Sequence, residues 1–382
     1  MRLFRFELAK LLRQPMLWDF LLLSLALNGL FTLSGIHEKP WLDYVASCLP
    51  VTFQRTDDPA FLAGLDTLPA GEFRDALRGQ AAAPVNILDG YDTAALAHAE
   101  AGLIGLSGSW ADIFAQKYEK LQPIVDEIAA SGAAYDIYAA SGTHDFQVHL
   151  TGIVYHAALT EALLLAVLLT LYAFGYEVQN RTDLLVFSTR SGRGVNRAKL
   201  AAALTASLLC YLLLCVLTLI PFALVYPLRD FLSMNVSSSF HYVAVTPVLS
   251  KPFLTWRPFT LAGYLGASLL LGAALTAVFV LFAAVCGLLL RNTYFAFLAW
   301  FVLSVSMMAL PVLCADVRLF SGYFLGMCLP VQVWFYQQSW FTDMGTASFL
   351  PWHETVCTLA ALAGFALLTL LAARHFHRKD LT

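Results

Sequence analysis

Charge is what this chain has least of. Asp, Glu, Lys and Arg make up 13% of its 382 residues, while 59% are hydrophobic. A soluble protein of this length could not hide that much apolar surface, so a water-soluble globular class is excluded. Its seven cysteines are scattered and include no Cys-x-x-Cys pair, which argues against a disulfide framework. Cys210, Cys215, Cys286 and Cys357 fall in apolar runs. Cys48, Cys314 and Cys328 fall between them, leaving open one bridge among those three. No G-x-x-x-x-G-K-[ST] run occurs, so the chain has no phosphate-cradling loop of its own for ATP. Internal repeats and low-complexity tracts are also absent.

What is present is apolar length. Crossing a hydrocarbon core by helix takes about 20 apolar residues. Six stretches meet or approach that length: Met16–Ile36, Ile153–Tyr176, Leu200–Tyr226, Phe259–Leu290, Tyr294–Leu313 and Trp352–Ala373. The expected fold is therefore all-α: an integral membrane protein of six transmembrane helices, with an amphipathic interfacial helix over 1–15 and a mostly helical extracytoplasmic domain over 37–150. In the N-terminal segment Phe4, Leu8, Leu11 and Leu12 share one helical face and Arg2, Lys10 and Arg13 the other, before Pro15 breaks the run. The first span is too long for a signal peptide, carries Asp19 and lacks a good cleavage site, so it is expected to stay uncleaved.

Lys and Arg resist translocation and so set orientation. They collect at the N-terminus, between spans two and three (Arg181, Arg190, Arg193, Arg197, Lys199), at Arg291, and in the 374–382 tail. Those segments are expected in the cytoplasm, with both termini, and the chain in the cell membrane. Residues 37–150 carry six Lys and Arg against sixteen Asp and Glu, a net of −10, leaving +7 on the rest of a chain whose total is −3. In the second half of this domain, Ser109-Trp110-Ala111-Asp112 resembles a capping box. Ile113, Phe114, Tyr118, Leu121, Val125 and Ile128 then recur at helical spacing up to Gly132. Residues 227–258 read as an external loop. Residues 315–351 read as an aromatic, interfacial or re-entrant segment, through Trp334, Phe335, Tyr336, Trp340 and Phe341.

Chemistry-bearing residues are sparse. His353-Glu354-Thr355-Val356-Cys357 begins like a zinc-protease signature but has Cys where the second His belongs, so no metal is expected there. His144, His149 and His156 are read as surface or helix-packing residues. Glu161 lies within the second span, where an acid is a candidate functional group because its charge is expensive in lipid.

The basic segment 177–199 carries a resemblance. An amphipathic basic N-terminus, one span, an external insertion, a second span ending in Glu177, then Thr182 and Leu185, Ser188-Thr189-Arg190-Ser191-Gly192-Arg193, and Lys199 opening the third span together resemble the ABC-2 type permease subunits of ATP-binding-cassette exporters. The chain departs from many relatives at Asn180-Arg181-Thr182, where they show a Gly-Thr-like turn. The resemblance implies that Glu177, Thr182, Leu185, Ser188, Arg190 and Arg193 dock a P-loop ATPase subunit, present in two copies. ATP and Mg would sit on that partner, with no cofactor in this chain. A second permease, identical or related, would complete the pathway, and the chain itself would be a transporter subunit rather than an enzyme. An acid at Glu177 is expected to pair with Arg181 or with a basic group on the ATPase. Readings from other classes are a membrane sensor or assembly protein whose external domain binds a ligand or partner, and, last, an intramembrane enzyme.

Overall fold

Long apolar runs make long helices because a backbone without water must satisfy its own hydrogen bonds. The computed structural model describes residues 2–48, 55–82, 85–136, 146–182, 185, 192–238, 241–246, 249–290 and 292–378. Among them, six helices are long and apolar enough to cross a membrane: Pro15–Ser47, Val148–Gln179, Val195–Val225, Leu261–Leu289, Thr293–Asp316 and His353–Phe376. The chain is a multi-pass membrane protein, and these spans overlap all six apolar stretches of the sequence.

In chain order, α1 is Arg2–Leu12 and α2 is Pro15–Ser34, which continues past Gly35 through a short 3-10 turn into α3, Lys39–Cys48. The insertion then contains α4 (Pro59–Asp66), α5 (Glu72–Ala81), α6 (Thr93–Ile104) and α7 (Ser109–Ala130). A π-helical stretch, Val148–Tyr155, leads into α8, His156–Gln179, and α9 is Val195–Val225. An antiparallel hairpin follows, β1 Tyr242–Thr246 and β2 Leu249–Pro252, with Val243 opposite Lys251 and a register shift before Thr246. The remaining helices are α10 (Leu261–Leu289), α11 (Thr293–Asp316), α12 (Phe320–Met327), α13 (Pro330–Phe335) and α14 (His353–Arg378).

Local chemistry sets several of these boundaries. Asn292 caps α11, its side chain accepting from the N–H groups of Tyr294 and Phe295, and Thr260 caps α10 through Gly263 N–H. Asp58 and Asp92 cap α4 and α6 in the same way. Ser109 is not a cap: it is the first residue of α7, preceded by Gly108 at φ 67, and no side chain caps that end. The helical spacing in α7 holds for Phe114, Tyr118, Leu121, Val125 and Ile128, which are all buried, but not for Ile113, which is 38% exposed.

Among the described residues the core has two large centres and a small third one of Met327, Met344 and Ala347. α8, α9 and α10 bury most of the main one, and Trp41, Leu42, Val45, Phe61, Leu65 and Leu77 from the first half of the insertion join it. The second half of the insertion has its own core, in which α6 and α7 close over Leu254 and Trp256. α1 and the last turns of α14 lie at one end of the bundle and the insertion at the other, here called the terminal end and the insertion end.

One close helix approach depends on a single glycine. Tyr155 donates to the Ser268 carbonyl at 2.6 Å, Tyr211 donates to the Leu269 carbonyl at 2.7 Å, and the two hydroxyls are 3.1 Å apart. A Cβ at Gly272 would stand 2.5 Å from the Tyr211 hydroxyl and closer still to that of Tyr155, whereas Gly266 on the same helix faces open space. Gly272→Ala is therefore expected to displace both hydroxyls and lower stability by about 1–3 kcal/mol. Gly266→Ala should be neutral or slightly stabilising. Thermal unfolding of the two purified variants beside the parent chain checks the contrast.

Candidate functional site

At the terminal end, α1, α8 and α9 converge on one carboxylate. Glu177, at the end of α8, is 5% exposed, and Lys199, near the start of α9, is 1% exposed. Lys199 donates to Glu177 Oε2. On the other side, Lys10 from α1 donates to Glu177 Oε1 at 3.3 Å and pairs with Glu7 at 2.5 Å. The Lys10 ammonium also sits 4.3 Å over the Tyr176 ring. Two acids and two bases thus neutralise one another out of water, and removing any one leaves an uncompensated buried charge. The expected partner of Glu177 within the chain was Arg181, but that residue is exposed in a left-handed turn at φ 56. Lys10, placed by its helical period on a polar outer face, instead has its side chain only 8% exposed, because α1 packs on the bundle and its cation has an acid waiting there.

Of the remaining predicted docking residues, Thr182 donates its N–H to the Glu177 carbonyl at 2.8 Å, and Leu185 is 71% exposed. Gly192–Gly194 forms a 3-10 turn that contains Arg193. Ser188 and Arg190 lie outside the described residues, as do Arg291, His144 and the side chains of Cys48 and Arg193. His149 contacts the Phe31 carbonyl at 2.7 Å and His156 stacks on Trp334, which are helix-packing roles.

Glu161 faces the bundle rather than lipid. Asn28 of α2 donates to its carboxylate at 2.8 Å and also to Thr218 of α9 at 3.0 Å, so three spans share one polar contact in the membrane.

A second ion cluster, which sequence reasoning missed, occupies the insertion end. Lys251 on β2 bonds Glu100 of α6 at 2.7 Å and also Asp343. The Tyr118 hydroxyl of α7 lies 2.5 Å from a Glu100 carboxylate oxygen and 2.7 Å from one of Asp343, and its single proton serves one of the two at a time. Lys117, its neighbour, donates to the carbonyls of Asp343, Gly345 and Ser348 at 3.0, 2.8 and 2.9 Å. All five side chains are buried. Three of them, Glu100, Lys251 and Asp343, border a cavity of about 230 Å3 lined also by Tyr336, Ser339, Thr342 and Met344. A neighbouring cavity of about 340 Å3 shares Val243 and Ser339 with it. A concave space with charged groups aimed into it is a binding-site geometry. The one signal in the sequence was that Glu100, Lys117, Lys251 and Asp343 are charges set among apolar residues, but nothing in their spacing says that they meet.

The electrostatics of this cluster are opposed pairwise. Burial alone would raise the Asp343 pKa, but the charges of Lys251 and Lys117 hold it below the ordinary aspartate range. Burial would lower Lys251, and Asp343 and Glu100 more than offset it. For Lys117 burial wins and brings it down to about 7, although its three carbonyl acceptors match the three N–H bonds of an ammonium. A third group of side chains also converges: the donor atoms of Cys328, His353 and Cys357 all lie within 4.8 Å of one another. Among the described residues Cys314 and Cys328 are free thiols rather than bridge partners.

Two outcomes follow. Lys251→Met should lower stability by about 3–5 kcal/mol, because it strands two buried carboxylates; unfolding of the purified chain measures it. Between pH 7 and the ordinary lysine value of 10.5 the unfolded chain keeps the Lys117 proton while the folded chain releases it. Stability contributed by this residue therefore rises with pH over that window. Lys117→Met should abolish the rise in melting temperature.

Compared with known proteins, the chain matches no family model and no curated protein sequence.

Proposed function

We propose that this chain is the membrane-spanning permease subunit of an ATP-driven exporter of the ABC-2 type, driven by a separate ATPase subunit. The observation that carries the reading is the Glu177 cluster. A segment that receives force from an ATPase must be fastened to the spans it moves, and Glu177, Lys199 and Lys10 fasten the two ends of segment 177–199 to each other and to α1. The segment also presents an exposed leucine, Leu185, which a groove on a partner would cover. A chain with no phosphate-binding loop takes its energy from elsewhere, and two ATPase copies beneath a pair of permeases would supply it. The terminal end is cytoplasmic in this reading and the insertion extracytoplasmic, in the cell membrane, as the Lys and Arg distribution favours.

The cavity beside Glu100, Lys251 and Asp343 supports a second reading, a sensor or assembly protein whose external region holds a polar ligand. The adjacent partner distinguishes the two: a co-purifying P-loop ATPase belongs to transport, a kinase or response regulator to sensing.

The buried position of Glu177 makes it a poor probe of docking, since Glu177→Ala would strand Lys199, while Lys10 kept only Glu7, and would destabilise this end. Leu185→Asp is the better variant. It is expected to leave insertion and melting temperature unchanged while ATPase co-purification and transport are lost. Full retention of both removes the docking assignment. For orientation, a cysteine at Ala94, an exposed position on α6, should react with an impermeant thiol reagent in intact cells above the signal of the parent chain. Labelling only after lysis reverses the topology.

A further inference from the structure

We propose that Cys328, His353 and Cys357 form a binding site for one thiophilic d10 cation, Zn2+ or Cu+. His353 and Cys357 are four residues apart at the start of α14, so one helical face presents both. Both are buried. The Cys357 sulfur is 3.9 Å from His353 Nδ1 and 3.8 Å from Nε2. Cys328, which ends α12, completes a triangle of donor atoms no more than 4.8 Å across. Zinc held at about 2.3 Å by sulfur and 2.0–2.1 Å by imidazole needs adjacent donors roughly 3.5–3.8 Å apart, so small side-chain rotations suffice.

A second observation points the same way. His353 Nε2 is 3.1 Å from the carbonyl of Met327, the residue before Cys328. A carbonyl can only accept, so Nε2 carries the proton and Nδ1 keeps its lone pair for a ligand. Donating the far N–H to a backbone carbonyl is how metal-bound histidines are usually held. The same bond ties α14 to the loop that brings in Cys328. The donor set is soft, two thiolates and one imidazole, which selects d10 ions over magnesium or calcium. Binding a divalent ion releases the two thiol protons and leaves two thiolates, a neutral imidazole and a net charge of zero, which suits an apolar position. Cys328 is only half-buried, so water or a further ligand could reach a bound ion from its side. The pentapeptide His353–Cys357 fails as a protease signature because its second histidine is missing; the cysteine in that place is itself a ligand, and the third donor stands upstream at Cys328.

The test uses the purified full chain in detergent, reduced and stripped with chelator. Titration with Co2+ should give a thiolate-to-cobalt charge-transfer band saturating at one ion per chain. Competition against chromogenic chelators should then show whether Zn2+ or Cu+ binds more tightly. Cys328→Ser, Cys357→Ser and His353→Ala should each weaken binding at least about 100-fold, more than loss of an outer-shell contact costs. Helical circular dichroism and elution volume identify any variant that has simply misfolded. The site is overturned if the reduced parent chain gives no thiolate-to-cobalt band. It is equally overturned if peptide mapping finds Cys328 and Cys357 joined as a disulfide in the native membrane, which would make them a redox pair instead.

Discussion

Taking a charge out of water is so costly that the structure is organised around where its buried charges find partners. Each cluster joins pieces far apart in sequence. Glu177 draws α1 and the start of α9 to the end of α8. Lys251 draws α6 and the loop after α13 onto the hairpin. Apolar packing alone would not fix these positions, because helices surrounded by lipid gain little by exchanging one apolar neighbour for another. An ion pair in the same place tolerates no substitute, since any other arrangement strands a charge. The bundle is thus pinned at both ends by electrostatics and filled between them by packing.

The two pins differ in what they permit. At the terminal end the partners lie on three separate helices, with one acid between two bases, so relative sliding of α8 and α9 would have to break Lys199 away from Glu177. That contact forces the helix ends to move as one body. At the insertion end Lys117 binds three carbonyls of one short segment, 343–348, and Tyr118 binds the acids that also hold Lys251. α7 and that segment are therefore one unit laid over the bundle, and the cavity between them and the hairpin has walls on both sides that cannot shift independently.

How much of this was legible in the sequence follows from the range of the interaction concerned. The spans were legible because apolar length is a local property, and α7 because its buried face repeats every three to four residues. The Ser109 cap failed because Gly108, with its positive φ, turns the chain one residue earlier. The hairpin 242–252 was read as loop: its strands are short, and Lys251 ties it to Glu100, a contact 151 residues away in the chain. Arg181 was the obvious neighbour for Glu177 by proximity in sequence, yet the partners are Lys10 and Lys199, separated from it by 167 and 22 residues. In the membrane region Glu161 stands out in the sequence as an acid within an apolar run, but Asn28, which donates to it and to Thr218, carries no charge to mark it.

The same distinction explains why the sequence, in which His353–Cys357 was weighed for a metal and set aside, did not join Cys328 to that pair. Helical periodicity relates His353 to Cys357, but nothing periodic relates either to Cys328, 25 residues from His353 across α13 and two 3-10 turns. What brings it there is backbone: the Met327 carbonyl accepting from His353, and the end of α12 closing on the Phe324 and Leu325 carbonyls. A carbonyl belongs to every residue, so it leaves no trace in a sequence. The side chains that a backbone contact assembles are visible only once the fold has placed them.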